Sequence, residues 1–359
     1  MKRTLPFLLS IPLLAGGCST ELEVNAPYEG HTVVYGLLNQ RDSVQFIKIN
    51  KSFLGDGSAL GYAQIPDSNE YGGEAISRLY VHKVINGQRV ETYTVHDTIV
   101  DEREPGTFHH PVQKLYYFID PEEYIIGVGA ASFRVYLDQA ASYELDLEVN
   151  GEQISGITPV VNDFFFSGTL NSPNVAVSLM HPQNGYGSFP VRWDSGPDGK
   201  RYVVQYRFNY LEVTENDTLA QSIVQGLGTR VSANAQQNEE MELFMDGQMF
   251  YSNLASVIVD RPEVIKRIFT GIDFLFTVAN DDFHTFLSLS EPVSGIVEER
   301  PAYSNVQGGY GVFASRYNKE VIGKRLAPTA VIELIDGPIT AHLRFCSAFP
   351  QDAAFAGCN

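Results

Sequence analysis

The residue whose surroundings most sharply specify a reaction is Cys18. Lys2 and Arg3 precede an apolar run from Leu5 to Leu14, which leads into Ala15-Gly16-Gly17-Cys18. A basic start, about ten apolar residues and small residues before a cysteine form a bacterial lipoprotein export signal. The run is too short to cross a bilayer. The chemistry is cleavage before Cys18 and acylation of its thiol and new amino group. The lipid is therefore covalent diacylglycerol with an N-acyl chain, and no other cofactor is expected. The third position before the cysteine is Ala15, where such signals usually carry Leu, and Leu14 lies one further back. Each buried methylene contributes about 0.8 kcal/mol, so two or three chains anchor stably where one does not.

Three cysteines are present. Committing Cys18 to lipid leaves Cys346 and Cys358, which an exported protein carries into an oxidising compartment. A disulfide is the expected outcome, and closing so short a loop contributes about 3 kcal/mol on the chain-entropy model. No histidine lies beside the pair, which disfavours a metal site.

Other constellations fail on chemistry. No G-x-S-x-G nucleophile elbow occurs. Gly308-Gly309-Tyr310-Gly311 is neither a P-loop nor a dinucleotide fingerprint and reads as turn and bulge. Asp194 to Gly199 resembles a calcium loop but lacks the acid at its third position, and Gln205 stands where the bidentate Glu belongs. Asp281-Asp282 near His284 fits a helix N-terminus, where carboxylates suit the dipole. Adjacent Glu298 and Glu299 point to opposite faces if extended. No catalytic residue is assigned, and the expectation is a protein that is not an enzyme. Ser43, Thr98 and Thr218 each sit in the short O-glycosylation sequence Asp-Ser/Thr-apolar.

The elements that hold these residues are strands. Alternating apolar segments recur at short intervals between turn residues, the β pattern. Segments 31–38, 43–50, 76–84, 89–95, 114–119, 132–137, 143–149 and 153–158 read as strands, with Asn86-Gly87 and Asn150-Gly151 as hairpin turns. Seven or eight such strands predict an immunoglobulin-like β-sandwich over 29–160. Residues 1–17 are the export signal and 18–28 a tether, while 55–73 reads as a polar loop. A hinge near 159–167 leads into a second β-rich, fibronectin-like domain over 168–345 with one or two short helices. It contains strands at 175–179, 190–194, 202–210, 274–278 and 330–334. Helical spacing runs from Gln248 to Val259, and Asn280 or Asp281 caps a second helix. Residues 346–359 form a disulfide-closed tail. The formal net charge is -18. Losing Lys2 and Arg3 with the signal leaves 23 basic against 43 acidic side chains, or -20, a poor surface for nucleic acid or anionic lipid.

Three stretches carry a family resemblance. They are Val33-Val34-Tyr35-Gly36-Leu37-Leu38 with Ile47 to Phe53, Tyr143-Glu144-Leu145-Asp146-Leu147 with the Thr158-Pro159 exit, and Tyr303-Ser304-Asn305 through Arg316. In this order they resemble Bacteroidota outer-membrane lipoproteins grouped as domain of unknown function 4249. The resemblance implies an N-terminal sandwich with a second β-rich domain, lipid-anchored at the outer membrane, its periplasmic or cell-surface face open. It also implies an accessory role beside a β-barrel such as a TonB-dependent receptor, and it supplies no catalytic residues. The expected function is partner or ligand binding, with a structural or adhesive surface protein as the alternative and a glycan hydrolase further behind. Tyr303, Asn305, Tyr310, Phe313 and Arg316 are the candidate partner surface, together with the 55–73 loop; for the aromatics of the 303–317 segment, core packing is the preferred reading.

Overall fold

A computed structural model describes residues 30–358 except 54–57, 128–131, 173, 182, 184, 234–237 and 292–302. The fold is mainly β, with several sheets and few, short helices. Cys18 and the 18–28 tether lie outside the described residues, as does the Glu298-Glu299 pair.

The first half contributes β1 (Thr32–Asn39), β2 (Gln45–Lys51), α1 (Ala59–Ala63), α2 (Pro66–Asn69), β3 (Ile76–Ile85), β4 (Gln88–Thr94), β5 (His96–Val100), β6 (Gln113–Phe118), β7 (Tyr124–Ile126), β8 (Phe133–Val135), β9 (Ser142–Val149) and β10 (Glu152–Pro159). The β3–β4 and β9–β10 hairpins turn on Asn-Gly pairs, with Asn86 and Gly87 at φ 52° and 74° and Asn150 and Gly151 at 50° and 85°. Positive φ at both central residues gives a hairpin turn whose twist matches its strands. The stretch read as a polar loop over 55–73 contains α1 and α2, whose few residues leave little periodicity to detect.

The second half contributes β11 (Phe165–Ser167), β12 (Met180–His181), β13 (Gly185–Tyr186), β14 (Ser188–Asp194), β15 (Arg201–Val213), β16 (Thr218–Val231), β17 (Glu240–Asp246), α3 (Gly247–Val257), β18 (Lys266–Ala279), α4 (Asp281–Ser290), β19 (Tyr310–Lys324), α5 (Pro328–Asp336), β20 (Phe345–Ser347) and α6 (Ala353–Ala356). Asp246 caps α3 by accepting from Met249 N at 2.8 Å, and Asn280 caps α4 by accepting from Phe283 N at 3.0 Å. The strand expected at 330–334 is instead the middle of α5, which begins with Pro328 and buries Ala330, Val331 and Leu334. That one-turn spacing is helical, and Pro at the first turn loses no helical hydrogen bond. At the 175–179 position, Val177 makes only an isolated bridge to Leu326.

Nine strands form one sheet, in the order β16-β15-β18-β19-β1-β2-β6-β5 with β20 beside β18. Strands from both halves therefore share it. The contact is β1 against β19, paired in parallel from Val33↔Tyr310 to Asn39↔Arg316. Two cores lie on one face of this sheet. The first fills the space beneath the β10-β9-β3-β4 sheet with residues such as Val34, Ile47, Phe118, Tyr143 and Leu147. The second packs Trp193, Tyr202, Phe208, Phe274 and their neighbours beneath β14, β17, α3 and α5. The aromatic face of β15 alternates as expected: Tyr202, Tyr206, Phe208 and Tyr210 are all buried.

The expected hinge is tied to the sheet. Ser315 Oγ donates to Pro159 O at 2.6 Å and accepts from Val161 N at 3.0 Å. Tyr317 Oη and Lys319 Nζ both donate to Asp163 Oδ1, at 2.9 and 2.8 Å. Chain passage between the cores is thus fixed along β19.

Candidate functional site

The segment from Tyr303 to Arg316 is where the chain's most specific motif meets the rest of the molecule. Gly308 has φ 74°, and a Cβ there would lie 2.1 Å from Gln153 O. Gly311 has φ 110°, and its Cβ would lie 2.0 Å from Val34 O. Only glycine permits both the backbone angle and the approach. The glycines let the chain pass between the start of β10 and β1, and Ser155 and Gln307 exchange backbone hydrogen bonds at 3.0 and 2.7 Å.

Asn305 completes this crossing. Its Nδ2 donates to Phe313 O at 2.8 Å, and Phe313 N donates to its Oδ1 at 2.9 Å. The amide stands in for a neighbouring strand on the side of β19 facing away from β1. Tyr303 Oη donates to the Asp282 carboxylate at the start of α4. Burial, then that carboxylate, pushes the Tyr303 hydroxyl pKa up.

These contacts divide the candidate partner surface, bearing out core packing for Phe313 and leaving Tyr310 exposed. Phe313 is fully buried in the first core, because its β19 position faces inward with Val34 and Leu38. Asn305 and Tyr303 are used for internal bonding. Arg316 is half-buried, and its Nε has no hydrogen-bond partner among the described residues. Tyr310 alone of the five presents an exposed ring, which meets His31 edge-on at 5.2 Å. Beside it, on the outward face of β1, Tyr35 is exposed and meets Phe286 of α4 edge-on at 6.1 Å. The reading of residue types missed Tyr35 and Phe286. The signal was present in β1, where Val33, Tyr35 and Leu37 make the outward positions as apolar as the inward ones.

A second cluster gathers Glu91, Asp120 and Glu122, whose carboxylate oxygens lie within 4.8 Å of one another. Tyr93 Oη is 2.9 Å from both Glu91 Oε2 and Asp120 Oδ2, and Tyr143 Oη donates to Asp120 Oδ2 at 3.0 Å. Lys83 Nζ donates to Glu122 Oε2 at 3.1 Å and to Tyr124 Oη at 2.6 Å. Oxygen ligands of this kind suit a hard cation, but here they accept from tyrosine and lysine donors. The arrangement ties the β6–β7 connection to β3, β4 and β9. A groove of about 580 Å³ is lined by Arg89, Glu144, Ser155, Asn305 and Gln307. In it Arg89 forks onto Glu144 at 2.8 and 2.9 Å.

Of the remaining sequence candidates, Cys346 and Cys358 form a disulfide with their Cα atoms 5.1 Å apart. Ser43 is exposed in the β1–β2 turn, Thr218 is exposed at the start of β16, and Thr98 is half-buried on the edge strand β5. Asp281 and Asp282 occupy the first turn of α4. Asp194 to Gly199 connects β14 to β15.

No family model matches this chain, and no curated protein matches it. Among solved structures it is similar to a DUF4785 family protein from Legionella pneumophila, with 12% identity and a TM-score of 0.21. The match covers 69% of this chain and 52% of that one, so the chain spans about half the length of the structure it matches. A similarity of this degree carries no argument about fold or function.

Proposed function

We propose that this chain is a non-enzymatic outer-membrane lipoprotein, an accessory or partner-binding subunit of a β-barrel transporter of the TonB-dependent type or of an assembly machine. The observation that carries the reading is the Ala15-Gly16-Gly17-Cys18 signal placed just ahead of the folded body. Twelve residue steps separate Cys18 from Gly30, a reach of at most about 43 Å. A body held so near a membrane meets embedded partners at high effective concentration. The motif resemblance supports the barrel as the partner class. Partner binding also suits a body whose polar clusters are spent on ion pairs between strands.

Metabolic labelling with a fatty-acid analogue tests the anchor: the native chain takes up label, and Cys18→Ser abolishes uptake. Affinity purification from detergent-solubilised outer membrane tests the partner. Stoichiometric recovery of a β-barrel protein supports the accessory role, and recovery of the chain alone overturns it.

A further inference from the structure

The body also has a surface suited to lie on the membrane that the anchor enters. Tyr310 and Tyr35 are 50% and 45% exposed. They stand on the outward face of β19 and β1, two residues apart in register. His31 packs on Tyr310, and Phe286 packs on Tyr35. α4 brings Phe283, Phe286 and Leu287 to this region and has no fully buried residue. The described chain begins at Gly30, one residue before His31. The described body is therefore joined to the residues that precede it at a point beside His31 and Tyr310.

We infer that Tyr35, Tyr310 and Phe286 seat in the interfacial layer of the anchoring membrane and fix the tilt of the body upon it. The inference rests on the lipoprotein reading of Cys18. Tyrosine rings combine an apolar body with a polar tip and favour the boundary between headgroups and acyl chains. A short tether removes most of the entropic cost of bringing such a small patch to the surface. The net charge of the chain disfavours anionic headgroups, so the lipid surface it fits is zwitterionic.

The acylated full-length chain, reconstituted in phosphatidylcholine–phosphatidylethanolamine vesicles, gives a direct test. Trp193 is the single tryptophan, so Trp193→Phe provides a silent background. Tyr310→Trp or Tyr35→Trp then reports contact through quenching by brominated acyl chains. Phe244→Trp serves as the comparison, because Phe244 is exposed on β17 in the opposite layer. At least twofold stronger quenching at 310 and 35 than at 244 is expected. Equal quenching in chains that co-float with the vesicles overturns this inference and leaves the anchor standing. Failure of the chain to acquire lipid and co-float overturns the anchor reading, and this inference falls with it.

Discussion

Phe313 and Tyr317 stand four residues apart on one face of β19, yet they belong to different hydrophobic cores. Ser315 lies between them and holds Pro159 O and Val161 N. One strand therefore serves as the shared wall of both cores, and the seam between them is a single residue wide.

Asn305 should be costly to lose. Asn305→Ala strips the partners from both Phe313 N and Phe313 O, and an unsatisfied buried backbone group costs about 1–3 kcal/mol. The variant is expected to lower the urea midpoint with little change in slope. Asn305→Asp retains the acceptor for Phe313 N but loses the donor to Phe313 O, and should also destabilise. A midpoint equal to that of the native chain for both variants would show that the amide is not holding the strand.

The first-half sandwich should not fold alone. Its core includes Val306 and Phe313, and without β19 the strand β1 is left with a bare edge. A fragment of residues 30–160 is expected to bind a hydrophobic dye and to melt without a cooperative transition. A sharp calorimetric transition from that fragment would contradict the shared-strand arrangement.

Acid should weaken the outer face of the β10-β9-β3-β4 sheet. The hydrogen bond from Arg89, against the opposing effect of burial, holds Glu144 below its ordinary value of 4.5. Burial pushes Asp146 up, but hydrogen bonds from Arg78 and His82 outweigh it and leave the carboxyl below its ordinary value. Bonds from Gln153 and Ser77 lower Glu148. Folded-state values below the unfolded ones mean that the unfolded chain binds more protons. The stability from these groups is thus complete above about pH 4.5 and is lost as pH falls through the depressed values. Denaturation midpoints measured from pH 6 to pH 2.5 should fall in that window, and Arg89→Gln should flatten the fall. An unchanged pH profile in that variant would remove Glu144 from the explanation.

The disulfide should act locally. The Cys346–Cys358 bond closes a short loop, and Lys266 Nζ donates to Cys358 O at 3.0 Å. Replacing both cysteines by serine is expected to cost about 3 kcal/mol on the chain-entropy model. Amide exchange should rise most in β20 and α6. Exchange that rises equally across β3 and β9 would argue against local action.

Legibility followed sequence distance. The β3–β4 hairpin, the spacing of α3 and the cap of α4 are written in neighbouring residues, and the sequence reading found them; the α3 cap, Asp246, lies just before that spacing and went unread. The β1–β19 pairing joins residues at opposite ends of the chain, where no local pattern records a partner. Phe313 was open to both a surface and a core reading because its burial depends on which strand lies beside the Gly-rich turn; the close backbone approaches at Gly308 and Gly311 that set this crossing leave no local pattern. α5 was misread because Ala330-Val331-Ile332 has the short apolar, β-branched look of a strand, and periodicity over so few residues does not separate the two. Tyr35 and Tyr310 form one patch only through strand register.

The parallel pairing of β1 with β19 has a mechanical meaning. Tension entering at Gly30 runs along the axis of β1 and is resisted at seven consecutive residue pairs, Val33↔Tyr310 to Asn39↔Arg316. Evenly spaced, slanted bonds between parallel strands share such a pull in shear, whereas a hairpin pulled from its open end unzips one bond at a time. The rate of giving way under load is set by the unfolding barrier. A pull applied at Gly30 therefore loads the β1–β19 pair side by side rather than one rung at a time.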